Sequence, residues 1–243
     1  MLFALQNIKK VKTTYGSMWI SSKDSTIGVH LERTGHFEEH MVSNVVKFLK
    51  RIGFAPKTFI DIGANIGTHL VYALSKIPFQ NGIGFEPDPL NFGLLEKNIE
   101  CNGLYNKVRL FNFALSDRSA DATLALSDTN YGDHRIYLQD TIEKKDIELE
   151  ERKKITVTTH RFDDFAYKND IKTDANTLIW MDVQGHEAHV IHGFNKLDKA
   201  DQPYVVMEFS PYALEQSGGK RILMQFFEDC EAVYDIRDRK SVV

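Results

Sequence analysis

The stretch TFIDIGANIGTHL, residues 58–70, decides how this chain is read. The strand-like run TFIDI ends on Gly63, and after the turn ANIG comes THLVYALSKI, whose apolar residues recur at helical spacing. Strand, glycine turn, helix is the opening unit of a parallel α/β sheet. Gly63 permits the tight turn, and Gly67 lets the next helix pack close to the strand. The helix beginning at Thr68 presents free amide donors at its N-terminus.

Downstream the same alternation repeats. GIGFE, VRLFNFAL, TLIWMD and YVVMEFS read as strands, and ATLAL as an edge strand. PLNFGLLEKNIECNG, closed by Gly103, and EAHVIHGFNKL read as helices. Strands apolar on both faces and separated by helices indicate a doubly wound, mostly parallel α/β sheet. Upstream, GSMWI and TIGVHLE carry short β-like runs, and FEEHMVSNVVKFLKRIG is an amphipathic helix. The expected organisation is therefore a small N-terminal α+β cap over 1–55 and a sheet domain over 56–243. Residues 139–154 are mostly charged, and they mark a solvated surface insertion within about 127–155.

In such a sheet, ligands bind beyond the C-terminal strand ends. A dinucleotide loop needs a second glycine so that the backbone can approach a pyrophosphate; here that position, after Gly63-Ala64, is Asn65. S-adenosylmethionine carries no phosphate and makes no such demand. Glu86 ends the next strand at the spacing where an acid accepts hydrogen bonds from ribose hydroxyls, and Pro87 stiffens the turn after it. The third strand ends at Phe113-Ala114, which predicts apolar and backbone contacts to adenine, with Asp117 as a polar contact. S-adenosyl-L-methionine is the expected cofactor. A nicotinamide-dependent oxidoreductase is the alternative, opposed by Asn65 and by the absence of a Y-x-x-x-K pair.

Transfer of a methyl group to an aliphatic hydroxyl calls for a general base. Asp182, at the end of TLIWMD, is the first candidate, as base or as anchor for the acceptor. Glu208 holds the equivalent place after YVVMEF, and His186 is the best histidine. Each also has a plain structural reading: a helix cap, a solvated strand end, an exposed first-turn residue. No metal is expected. His186, His189 and His192 recur every three residues and drift around a helix, and HFEEH at 36–40 matches an inverted zinc-protease motif without a third ligand region. Glu38 and Glu39 read instead as acids at a helix N-terminus.

These blocks resemble the FkbM-type family of S-adenosylmethionine-dependent methyltransferases. The likeness is carried by FIDIGANIGTH, GFEPDPLNFGLLEKNIECNG, NFALSDRSADATL, RFDDF, IWMDVQGHEAHVIHGF, VVMEFSP and the G-H-F-E of 35–38, over roughly residues 28–215. It implies a class I methyltransferase sheet and methyl transfer to a hydroxyl oxygen of a sugar or natural-product scaffold. It also implies cofactor roles for Asp61, Gly63, Asn65, Gly67 and Glu86. Gln184 stands where the family's D-x-E-G-x-E pattern has its first Glu. The chain ends soon after EAVYDI, so the terminal antiparallel strand is expected to be short or missing and the chain to be part of a longer protein. These two departures keep a non-catalytic cofactor-binding module as a further alternative.

Composition bounds the partners. The 243 residues carry a net charge of −4, which disfavours nucleic acid, and no N/D-P-P-Y/F motif for a flipped base is present. Cys101 and Cys230 form no disulfide framework, and no signal-like or membrane-length apolar run occurs, so a cytoplasmic protein acting on a small hydroxylated acceptor is expected.

Overall fold

The computed structural model describes residues 7–137, 147–194, 202–236 and 240–241. The chain opens with a hairpin of β1 (Ile8–Thr13) and β2 (Gly16–Ser21), followed by α1 (Ile27–Thr34) and α2 (Glu39–Lys50). TIGVHLE is thus helical from Ile27 onward rather than β-like. The Asp24 carboxylate takes the Thr26 and Gly28 amides at 3.0 and 2.8 Å, and Ile27 and Leu31, four apart, are both buried. Local caps here override β-branched propensity.

The chain then runs through β3 (Thr58–Ile62), α3 (Thr68–Lys76), β4 (Asn81–Phe85), α4 (Pro89–Cys101) and β5 (Val108–Phe111). Asp88 caps α4 by accepting the Asn91 amide at 2.9 Å, with Pro89 at the first helical position. VRLFNFAL is not one strand. At Asn112 the side-chain amide donates to the carbonyls of Glu86 and Pro87, the chain bends, and Phe113 turns onto Phe85, Phe111 and Phe165.

Beyond the bend lies a second sheet. It holds β6 (Ala114–Leu115), β7 (Ala120–Leu126), β8 (Arg135–Tyr137) and, after α5 (Ile147–Glu151), β9 (Lys153–His160), in the order β6-β9-β7-β8. ATLAL therefore lies inside this sheet, paired on both sides, and not on the edge of the main one. The charged stretch contributes α5 and the start of β9, and residues 138–146 of it lie outside the described residues.

After α6 (Phe162–Lys168) the chain returns to the main sheet through β10 (Thr177–Met181), α7 (Glu187–His192) and β11 (Tyr204–Met207). It closes with α8 (Pro211–Gln216), α9 (Lys220–Asp229) and a short antiparallel ladder of β12 (Tyr234–Asp235) with β13 (Lys240–Ser241). The main sheet has the order β11-β10-β3-β4-β5, and all its pairings are parallel. Apolar side chains bury both faces. On one side Phe59, Leu178 and Trp180 meet α1 to α4 and the hairpin; on the other Ile60, Ile62, Ile179 and Met181 meet α6, α7, α8 and α9. Residues from the N-terminal 55 share the first cluster with the sheet.

Strand order reverses between β3 and β10. Successive strands run outward from β3 to β5, then cross to the other side, which places the switch point beyond the C-terminal ends of β3 and β10. No helix among the described residues is long and apolar enough to cross a membrane.

Candidate functional site

The two loops at this switch point are in contact. Gly63 has φ 82°, and a Cβ there would collide with the Asp182 carbonyl oxygen, so this turn requires glycine. The Gly63 and Ala64 amides donate to the Phe85 carbonyl at 3.0 and 2.9 Å and fasten the turn over the end of β4. Asn65 follows in the left-handed region at φ 50°. Gly67, φ 88°, lets α3 approach α4 so closely that a Cβ would meet Leu95 at 2.6 Å; Thr68 begins α3 and is buried.

Glu86 stands beside this turn, just past β4. Its Oε2 accepts the Asn65 amide and its Oε1 the Asp88 amide, each at 2.8 Å. Both oxygens are thus fixed by backbone, each with a further lone pair to offer. Burial pushes its pKa up to about 8, partly offset by those two amides. Asp61, on β3, is 1 % exposed, and burial together with the charge of Asp182 raises it to about 8. The Leu70 amide offsets part of this, yet neither Asp61 oxygen has a hydrogen-bond partner of good geometry among the described residues.

On the β10 side, Asp182 follows the last strand residue and its amide donates to the Ile62 carbonyl at 3.0 Å. Burial first, and Glu208 second, push its pKa to about 7. The Gln184 amide, held in the left-handed region at φ 54°, donates to Asp182 Oδ1 at 2.6 Å and to Glu208 Oε2 at 3.2 Å. One neutral donor therefore links the two strand-end carboxylates. Glu208 is exposed and follows β11.

The cleft at this point is open to solvent, with about 540 Å³ of space between its walls and at its mouth. Gly63, Asn65, Glu86, Pro87, Ala114, Asp182 and His186 line it, as do Val183 and Gln184. A further wall is formed by Tyr131, Gly132 and His134, from the segment between β7 and β8, with Leu124 of β7 and Ile136 of β8. Sequence reasoning missed this wall. Its anchor is a backbone atom: the Tyr131 carbonyl accepts the side-chain amides of Asn65 and Asn91 at 2.8 and 2.9 Å. Asn91 also lines the cleft. Two side-chain amides spaced 26 positions apart were the available signal, and nothing in the sequence names their shared acceptor.

Two residues read as adenine contacts lie elsewhere. Phe113 does not line the cleft, because the bend at Asn112 sends its ring into the aromatic cluster with Phe85, Phe165 and His160. Asp117 faces away from it, toward Ser116 and His189 (3.3 and 3.6 Å). His186 is not an exposed first-turn residue. It is 4 % exposed, stacks on His189 and bonds Ser116 Oγ through Nε2 at 2.9 Å. Burial lowers its pKa to about 3, so it is neutral and a very weak base. Among the described residues no group of three or more His, Cys, Asp or Glu is placed to hold a metal ion.

Comparison with known proteins identifies the family. The methyltransferase FkbM domain model matches residues 61–236. The 2-O-methyltransferase NoeI of Sinorhizobium fredii is 33 % identical over 141 residues, covering 55 % of this chain and 56 % of that protein. Methyltransferase 1 of Beauveria bassiana is 26 % identical over 145 residues, covering 56 % and 57 % respectively. This chain thus spans little more than half the length of these relatives. A crystal structure of an FkbM methyltransferase from Methylobacillus flagellatus aligns with a TM-score of 0.45 at 17 % identity, covering 72 % of this chain and 37 % of that one. With the family model matched across most of its length, the chain belongs to the FkbM methyltransferase domain family.

Proposed function

We propose that this protein is an S-adenosylmethionine-dependent O-methyltransferase acting on a small hydroxylated acceptor, a sugar, glycan precursor or natural product, with Asp182 as general base. The observation that carries the reading is the state of Asp182. It is a cleft-lining carboxylate at the switch point, poised near pH 7 and held by the Gln184 amide. A base is most effective when its pKa lies near the working pH, where it is both ionised and basic enough to take a proton. The relative named a 2-O-methyltransferase supports a hydroxyl oxygen as the acceptor atom.

The residues present fit the cofactor. S-adenosylmethionine, when bound, supplies an electrophilic methyl group on a sulfonium centre. Glu86, with both oxygens aligned by backbone amides, is suited to ribose hydroxyls. Asp61, buried with neither oxygen well hydrogen-bonded among the described residues, is suited to the ammonium of the amino-acid end. Gly63, Asn65 and Gly67 shape the turn around it, while Pro87 and Ala114 supply apolar wall.

Asp182 Oδ2 is free of the Gln184 bond and is the oxygen that takes the proton of the acceptor hydroxyl. Gln184 keeps Oδ1 in place, and Glu208 raises the basicity of the pair. His186 contributes shape and a neutral cleft wall rather than proton transfer.

The test is an Asp182→Asn variant assayed with radiolabelled S-adenosylmethionine against a panel of hydroxylated acceptors. A loss of about 10²–10⁴-fold in transfer is expected, with S-adenosylhomocysteine binding by calorimetry kept within a few-fold. Full activity in this variant removes the base assignment. Tight binding of NAD with no binding of S-adenosylhomocysteine removes the cofactor assignment.

A further inference from the structure

Glu38 has no part in the roles assigned so far, and it comes from the N-terminal segment rather than from the sheet. It caps α2 in the left-handed region, at φ 55°. Asn65 and Gln184, both at the cleft, share this conformation, which a non-glycine residue adopts only at some cost. So placed, Glu38 brings Oε2 to 3.8 Å from His69 Nε2.

His69 is the second observation. It is 8 % exposed, its ring lies 5.0 Å from that of Trp180, and burial lowers its pKa to about 4, leaving it neutral. Its Nε2 is buried and without a hydrogen-bond partner among the described residues, yet it points at Glu38. A polar atom left unpaired in this way leaves a hydrogen bond to be made by a guest.

Glu38 lies within electrostatic reach of both Glu208 and Asp182. Asp182 lines the cleft, Glu208 is joined to it through Gln184, and Glu38 adds a third carboxylate from a separate segment nearby. Gln184 serves two of them; Glu38 receives no comparable amide. Among the described residues none of the three has a Lys or Arg partner, and the basic groups near Glu38 are the imidazoles of His69, His40 and His30. A surface lined in this way accepts hydrogen bonds and repels anions.

We propose that Glu38 is a specificity-determining contact for the acceptor. With Glu208 it accepts hydrogen bonds from hydroxyl or ammonium groups flanking the methylated position, and it excludes acceptors that carry a phosphate, sulfate or carboxylate there. This rests on the reading of the cleft as an O-methyltransferase site and names the charge class of its substrate.

The probes are methyl glucoside, glucosamine and glucuronate, titrated against the S-adenosylhomocysteine-loaded protein by ligand-observed NMR. The first two are expected to bind at least about tenfold more tightly than glucuronate. Glu38→Gln should close most of that gap, and Glu208→Gln provides the same comparison if the first variant does not fold. Equal binding of the three, binding of none, or an unchanged ratio in both variants overturns the proposal. So does a Glu38→Gln variant that loses affinity for S-adenosylmethionine but not for S-adenosylhomocysteine, because the carboxylate would then serve the sulfonium. No chemistry occurs in this titration, so its outcome is independent of whether Asp182→Asn retains methyl transfer.

Discussion

Replacing Glu208 by Gln should lower the pKa of Asp182, and the size of the drop follows from the Gln184 bridge. One amide nitrogen reaches both carboxylates, at 2.6 and 3.2 Å. The two negative charges are therefore no more than about 6 Å apart, where Coulomb's law gives about 0.7 kcal/mol in water and about 2.8 kcal/mol at an effective dielectric of 20. Glu208 is exposed, so solvent screening favours the lower part of that range. A fall of about half to one pKa unit from the starting value near 7 is expected, one unit corresponding to about 1.4 kcal/mol. Freed from Glu208, the Gln184 amide can serve Asp182 alone, and this acts in the same direction. The assay is a carboxyl-detected NMR titration of ¹³C-labelled protein, with Asp182→Asn identifying the resonance. An unmoved or raised value in Glu208→Gln refutes the coupling and, with it, the account of how this carboxylate is poised.

Three further outcomes follow from the site. Asp61 and Glu86 are raised to about 8 and Asp182 to about 7, so the stability they contribute is full below pH ~4 and is lost as pH rises through 7 to 8, by up to about 1.4 kcal/mol per pH unit for each group. His69 and His186, lowered to about 4 and 3, act oppositely: their contribution is present above pH ~6.5 and is lost as pH falls through those values. Between pH ~4 and 6.5 the three carboxylates outweigh the two histidines, so thermal melts of the cofactor-free protein should peak on the acid side of neutrality and decline toward pH 8, and a Tm that rises steadily from pH 6.5 to 8.5 would contradict the buried carboxylates. Gly63→Ala should destabilise by several kcal/mol and abolish S-adenosylhomocysteine binding in calorimetry, since φ is 82° and the Asp182 carbonyl occupies the space of the new Cβ. Asn65→Gly keeps the left-handed turn but removes one of the two donors on the Tyr131 carbonyl; hydrogen exchange at residues 129–136 should quicken, with Tm changed by only a few degrees. Unaltered exchange would show that Asn91 alone holds the wall.

What the sequence revealed and what it concealed divide along a physical line. Gly63, Gly67, Glu86 and Asp182 were legible because each is defined by its own strand: a glycine where the chain must turn, a carboxylate where an apolar run stops. The parallel sheet was legible for the same reason. Phe113 and Asp117 were misplaced because VRLFNFAL, apolar except at Arg109 and Asn112, reads as one strand, and the bend at Asn112 depends on carbonyls of Glu86 and Pro87 that lie outside the run. The burial of His186 depends on Ser116, 70 residues away, and the cleft's further wall depends on one backbone carbonyl. Glu38 is the most instructive case. By spacing it is an acid at a helix N-terminus, a role that needs no partner. Its left-handed backbone gives it a different one, at His69 and beside two strand-end carboxylates. A local rule thus explains why an acid is tolerated at that position, while only the tertiary contact explains why it is aimed at His69.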